Sequence, residues 1–337
     1  MDLRSVGGIR EDQRGIPHLT DFRSQISDFR LQNFLSILDL DPDRIAKLLE
    51  SAAKLKRERV KGMKAPTAHV LNGKHVGLLF EKPSLRTRVT FTIGVRELGG
   101  DIVEIPADVM HADREPINDV ARNLERWVDA VVIRTFGQER LHQIAEITPK
   151  LHVINALSNE EHPCQALADM QTLVERWGSL DNKRIAFVGD GNNVCASLVH
   201  SAMMLGIGIN VATPKGFELP DEVVDQAAEV SQKGAGLTEF TDPKAAVRDV
   251  DAIYTDVWTS MGQEVEYAER KKTFKRYQVT EAMMALARPN ALFMHCLPAH
   301  RGEEVSDEVI ESSISVVFDQ AENRLHAQKA LLVEMLK

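Results

Sequence analysis

The chain has 337 residues, 43% hydrophobic and 27% charged, with a net charge of −9. These values describe a soluble globular protein of about two domains at ~150 residues each. They exclude a general nucleic-acid binder, which would carry a basic face, and no apolar run approaches the ~20 residues of a membrane span.

Residues 1–29 are polar and mix arginines with acids. They lack the apolar core of a signal peptide and the acid-poor composition of a presequence, so they are expected to be an arm that orders by packing on a neighbour. From Asp39 the pattern is helical, with Asp41-Pro42 as N-cap and first position, and Ile45, Leu48, Leu49, Ala52 and Leu55 on one face. A loop follows over 61–73. HVGLLF (75–80) has strand length, and a helix then runs to Gly99-Gly100. DIVEI (101–105) is expected as a strand, 106–116 as a loop, and 117–127 as a helix. VDAVVIR (128–134) is a continuous apolar run of the kind buried on both faces. A helix over about 138–147 leads to the strand HVIN (152–155).

Pro163 opens a long helix through Trp177. RIAFVGD (184–190) is the next strand, with GNN as its turn and a helix over 194–205. INVATP (209–214) is a strand, a helix follows from Asp221, and DAIYTD (251–256) is another buried strand. A polar loop leads to a short helix ending at Ala287. ALFMHCLP (291–298) is the last clear strand, and 322–336 is one helix that Arg324 opens. Strands alternate with helices without hairpin signals, which predicts an α/β protein with two mainly parallel sheets of four or five strands each, helices on both faces. The expected division is an arm (1–29), a first domain (30–163), a linker helix (164–178), a second domain (179–315) and a C-terminal helix (316–337) returning to the first.

The chemistry is expected at the carboxyl ends of the strands, where ligands bind in such sheets. After HVGLLF, Ser84 is placed to cap a helix whose apolar stripe is Leu85, Val89 and Ile93. Arg86 and Arg88 then fall in its first turn, where cations oppose the helix dipole. Read alone they are two solvated arginines; an anion on the helix end would explain them. Arg134, HPCQ, GDGNN, Asp256 and HCLP fall at other strand ends. GDGNN also invites a nucleotide-binding oxidoreductase reading, but the third glycine of G-x-G-x-x-G is missing, with Val194 and Cys195 following Asn193. Cys164, Cys195 and Cys296 show no metal-like spacing, and so sparse a set fits a reducing compartment, hence a cytoplasmic location.

SLRTR (84–88), HPCQALAD (162–169), GDGNNV (189–194), DVWTSMGQE (256–264), HCLPAHRGEEV (295–305) and AENR (321–324) stand in the order and spacing of the aspartate/ornithine carbamoyltransferase family. SMGQE followed by HCLPA resembles the ornithine-specific branch. The resemblance implies carbamoyl transfer from carbamoyl phosphate to the side-chain amine of L-ornithine, giving citrulline and phosphate in arginine biosynthesis. It also implies two domains, one for each substrate, a homotrimer or a multiple of it, and no metal or organic cofactor. By that resemblance Ser84, Leu85, Arg86, Thr87, Arg134, His162, Gln165, Cys296, Leu297 and Arg324 hold carbamoyl phosphate. Asn193, Asp256, Ser260 and Met261 hold ornithine, and Arg134, His162, Asp256 and Cys296 surround the reacting centre. An alkylamine has a pKa of about 10.4, so the site must grip the amino-acid end and leave the side-chain amine uncharged. Cys296 is not expected to be a covalent nucleophile.

The sequence departs from the pattern twice. Leu85 stands where most ornithine enzymes have threonine, and the acetylornithine type also shows leucine there; N-acetylornithine and putrescine are the alternative substrates. Met110 stands where relatives carry a polar residue reaching carbamoyl phosphate in the neighbouring subunit, and His111 is expected to supply that contact.

Overall fold

A computed structural model describes residues 31–110, 115–259 and 266–337. The arm at 1–29, His111, Ser260 and Met261 lie outside the described residues. Gln32–Lys337 form one compact unit.

Helix α1 (Pro42–Glu58) starts as the Asp-Pro pair predicts, with the Asp41 carboxylate accepting from the Arg44 N–H at 2.7 Å. Its five apolar positions are all buried. The loop after it opens on a 3-10 turn, Arg59–Lys64. Four strands with their helices then build the first sheet: β1 (His75–Phe80), α2 (Leu85–Glu97), β2 (Asp101–Ile105), α3 (Ile117–Trp127), β3 (Ala130–Arg134), α4 (Gln138–Ile147) and β4 (His152–Leu157). Every pairing is parallel and the order is β2-β1-β3-β4. The central strands β1 and β3 are buried nearly end to end, which is why they read as continuous apolar runs.

The long helix α5 (Pro163–Trp177) is buried from Pro163 to Leu173. The second sheet follows with β5 (Arg184–Val188), α6 (Asn193–Met204), β6 (Gly208–Ala212), α7 (Asp221–Glu229), β7 (Gly236–Phe240), α8 (Pro243–Ala246), β8 (Ala252–Thr255), α9 (Tyr267–Phe274), α10 (Glu281–Met284) and β9 (Leu292–His295). Its order is β7-β6-β5-β8-β9, again all parallel. Edge strand β7 has no counterpart in the sequence reading: GLTEF is half-exposed and carries no continuous apolar run. The stretch read as a polar loop after Asp256 contains α9, which buries only Arg270 and Phe274.

After α11 (Asp307–Ile310), the last helix α12 begins at Val317 rather than Glu322 and runs to Leu336. Arg324 therefore lies two turns inside it and is buried. This helix packs on α1, α2 and α5. Gly94 permits the close approach to α2, since a Cβ there would meet the Lys329 side chain at 3.1 Å. Lys329 Nζ donates to Glu97 at 2.8 Å, and Asn323 donates to Thr172 of α5 at 3.0 Å.

Each sheet reverses its winding once, between β1 and β3 in the first and between β5 and β8 in the second. Right-handed crossovers on either side of a reversal put helices on opposite faces and open a crevice at the strand ends. Ser84 and the first turn of α2 follow β1, Arg134 ends β3, and the GNN turn and Asp256 follow β5 and β8.

Candidate active site

The first crevice is cationic. Ser84 is extended, with φ −157°, and its Oγ accepts from the Thr87 N–H at 3.3 Å, so it caps α2 as expected. No acid lies in that first turn. Leu85 is 74% exposed, so it offers the crevice only backbone. Arg86 turns inward and donates from Nε to the Leu297 carbonyl at 3.3 Å, reaching a loop of the second sheet. Arg88 does not join it: its guanidinium pairs with Glu104 and covers the Phe80 ring, so the ordinary surface reading holds for that residue.

Arg134 pairs in register with Phe80, directly before the Ser84 loop. Burial first, and then the Arg324 charge, push its pKa down to about 10. Arg324 donates to Thr87 Oγ1 at 2.6 Å and is depressed by burial, with Arg86 adding repulsion. Three guanidiniums thus gather where water is scarce. Such clustering of like charge opposes folding unless an anion answers it. The Nε atoms of Arg134 and Arg324 have no hydrogen-bond partner among the described residues. Lys82, which the sequence does not mark as a site residue, adds a fourth cation. It is buried, donates to Asn159 at 2.8 Å, and is depressed by burial and by Arg134.

His162 precedes α5, where its backbone N–H donates to Ser197 Oγ at 2.9 Å. Burial, Arg324 and Arg134 hold its imidazole pKa well below the usual value, so the ring is neutral at physiological pH, and Nδ1 lacks a partner among the described residues. Gln165 gives its amide N–H to Asp169 at 2.8 Å, which leaves its Oε1 as the unpartnered end. Asp169 also accepts from Gln320 at 2.7 Å and from Tyr254 at 3.1 Å, and burial raises its pKa to about 7. The sequence gives no role to Asp169, Gln320 or Tyr254, although Asp169 ends the HPCQALAD motif. They sit on α5, α12 and β8, and only the fold joins them.

The second crevice is closed on itself. Asp256 Oδ1 accepts from the Cys296 thiol at 2.9 Å and from the Val257 N–H at 2.8 Å, while Oδ2 accepts from Asn192 at 2.8 Å. Asn192, not Asn193, caps α6, receiving the N–H groups of Val194 and Cys195. Asn193 instead donates to the Ser158 carbonyl at 2.5 Å, tying the turn to the loop before His162. Burial and then Asp256 push the Cys296 pKa well above its normal value, which makes the group a thiol donor and a poor nucleophile. Asp256, His295 and Cys296 hold ligand atoms within 4.8 Å of one another. Each is already engaged, however, the imidazole through both of its nitrogens.

Gly191 explains the glycine of the GNN turn without a nucleotide: a Cβ there would meet the Glu218 backbone at 2.6 Å. Asp190 beside it is paired with Arg270. Met110 is turned away from both crevices, 3% exposed among Leu79, Val120 and Leu124 in the first domain's core. It is therefore a packing residue, since a buried thioether presents no polar atom outward.

Two family models match the chain. The carbamoyl-P binding domain of aspartate/ornithine carbamoyltransferase matches residues 32–175, and the Asp/Orn binding domain matches 181–335. The ornithine carbamoyltransferase of Methanoculleus marisnigri is 48% identical over 90% of this chain and 97% of its own. That of Halalkalibacterium halodurans is 44% identical over 95% and 98%. The solved ornithine carbamoyltransferase from Pyrococcus furiosus superimposes with a TM-score of 0.86 at 43% identity, over 91% of this chain and 97% of that one. With both domain models matched in sequence order over nearly the whole chain, the chain belongs to the aspartate/ornithine carbamoyltransferase family.

Proposed function

We propose that the protein transfers the carbamoyl group of carbamoyl phosphate to the side-chain amine of L-ornithine, releasing citrulline and phosphate in arginine biosynthesis. The observation that carries this reading is the set of converging guanidiniums at the α2 N-terminus, two with unpartnered Nε atoms, beside the Asp256–Cys296 pair.

The phosphate dianion would lie on the Ser84–Thr87 turn, with Arg86 and Arg324 countering its charge. Arg134 and the neutral His162 would take the carbamoyl oxygen, whose negative charge grows as the amine attacks carbon. The Gln165 Oε1 is fixed as an acceptor by the Asp169 bond and suits the carbamoyl N–H. Ornithine would enter from the second crevice, its α-amino group on Asp256 and Cys296, with Asn193, Ser260 and Met261 at its amino-acid end. The Leu297 carbonyl would accept a hydrogen bond from the attacking amine. A new C–N bond forms, the C–O bond to phosphate breaks, and the amine's proton leaves with the phosphate.

Helix α2 and edge strand β2 leave Leu85, Val89 and Val103 exposed. A trimer or a multiple of trimers would cover these side chains with a second copy, and in it the segment with His111 would reach a neighbour. All three cysteines are unpaired, which supports a cytoplasmic location. Among the described residues no helix is long and apolar enough to cross a membrane.

Phosphate release measured with carbamoyl phosphate and each of ornithine, N-acetylornithine and putrescine tests the substrate. Ornithine should be turned over fastest by kcat/KM. Faster turnover of either other amine would contradict the reading.

A further inference from the structure

We propose that His295 and Glu304 form a positioning pair that fixes the Leu297 carbonyl in the site, resting on the proposed function, in which this carbonyl meets the attacking amine. Leu297 has φ +57°, a left-handed conformation that a branched side chain adopts only when its surroundings impose it. The bond that imposes it is its own N–H donating to His295 Nδ1 at 2.8 Å. An accepting ring nitrogen carries no proton, so the neutral imidazole bears its proton on Nε2. Nε2 lies 3.2 Å from Glu304 Oε1 and donates to it. The same carboxylate oxygen accepts the His300 N–H at 2.5 Å. One buried oxygen therefore closes both ends of the loop 295–300 and also selects the tautomer that Leu297 requires.

Both side chains are fully buried. A buried carboxyl group is a costly means of closing a turn, and an apolar residue would serve packing better. The orientation chain instead ends on a carbonyl that faces the site, where Leu297 O accepts from Arg86 Nε at 3.3 Å. The far side is anchored too. The His295 N–H donates to Gln320 Oε1 at 3.0 Å, and Gln320 Nε2 donates to Asp169, the residue that orients Gln165. The carbonyl and the Gln165 amide are thus set by one connected network.

The test is steady-state citrulline formation by the full chain and by His295→Asn, His295→Leu and Glu304→Gln. An asparagine oxygen can stand where Nδ1 stood and accept the Leu297 N–H; leucine cannot. His295→Leu should lower kcat about 100-fold, as a misplaced reacting group does, with the KM for carbamoyl phosphate unchanged. His295→Asn should recover about tenfold of that loss, the worth of one restored hydrogen bond. Glu304→Gln can turn its amide NH2 toward the ring, which reverses the tautomer and faces the His300 N–H with a donor, so kcat should fall at unchanged carbamoyl phosphate KM. Equal kcat in the leucine and asparagine variants overturns the proposal. Should the leucine variant not fold, Glu304→Gln decides: an unchanged kcat overturns it, and a lowered kcat at unchanged carbamoyl phosphate KM supports it. No citrulline from the unsubstituted chain would overturn the reaction and the pair together. Full activity in every variant would overturn the pair alone.

Discussion

The two crevices handle buried polar groups in opposite ways. In the first, Arg134, Arg324, His162 and Gln165 each keep a buried polar atom without a partner among the described residues. In the second, both oxygens of Asp256 are occupied, by Asn192, Cys296 and a backbone N–H. Buried polar groups in native proteins are nearly always satisfied. The first crevice is therefore a receptor already built for a carbonyl-bearing anion, its charge unbalanced until that anion arrives. Among the described residues of the second, Asp256, Asn192 and Cys296 are held in mutual bonds, which a ligand must join or exchange. The difference implies an order, with carbamoyl phosphate meeting a formed site and ornithine meeting one that still has to rearrange.

Removing a cation from the first crevice should break the comparison most sharply. Arg134→Met should lower kcat/KM about 1000-fold, the scale of a lost oxyanion donor. The same change relieves repulsion from Arg324 and Arg86, so the melting temperature without ligand should hold or rise. A fall in both would mean that Arg134 is structural. In the second crevice the effects should be smaller. Asp256→Asn should raise the ornithine KM and lower kcat/KM about 100-fold, as loss of a charged hydrogen-bond partner does. Cys296→Ala should cost only about tenfold, one hydrogen bond. Complete inactivation by the alanine would instead indicate a covalent nucleophile.

The smallest effect lies where the crevices join. Asp169 has its folded pKa raised from 3.8 to about 7, chiefly by burial. The folded protein then binds a proton that the unfolded chain gives up, so stability falls as pH rises from about 4 through about 7 and levels above it. Asp169→Asn removes that slope. Its melting temperature relative to the unsubstituted protein should climb between pH 5 and pH 8; a difference independent of pH would show that the carboxyl is not the titrating group.

Both crevices can be located from the sequence because strands buried on two faces leave unbroken apolar runs, and each run ends on its functional residue. VDAVVIR ends on Arg134 and DAIYTD on Asp256. Where burial is one-sided the signal fades, as with GLTEF at the sheet edge and the polar helix α9. The start of α12 is hidden because Val316 offers no side-chain cap, which is why the sequence puts Arg324 at a helix end rather than inside it. Two adjacent asparagines in the GNN turn are indistinguishable by type; only cap geometry assigns Asn192 to Asp256 and Asn193 to Ser158. Asp169 and Glu304 lie inside the motifs HPCQALAD and HCLPAHRGEEV, but their orienting roles, like those of Tyr254 and Gln320, show only in the folded contacts.

Calorimetric titration of the unliganded protein with carbamoyl phosphate alone, and separately with ornithine alone, tests most directly the claim that one crevice is preformed and the other closed. Heat and saturation should appear with carbamoyl phosphate, while ornithine should bind only after it. Ornithine binding equally tightly with and without carbamoyl phosphate would contradict the account.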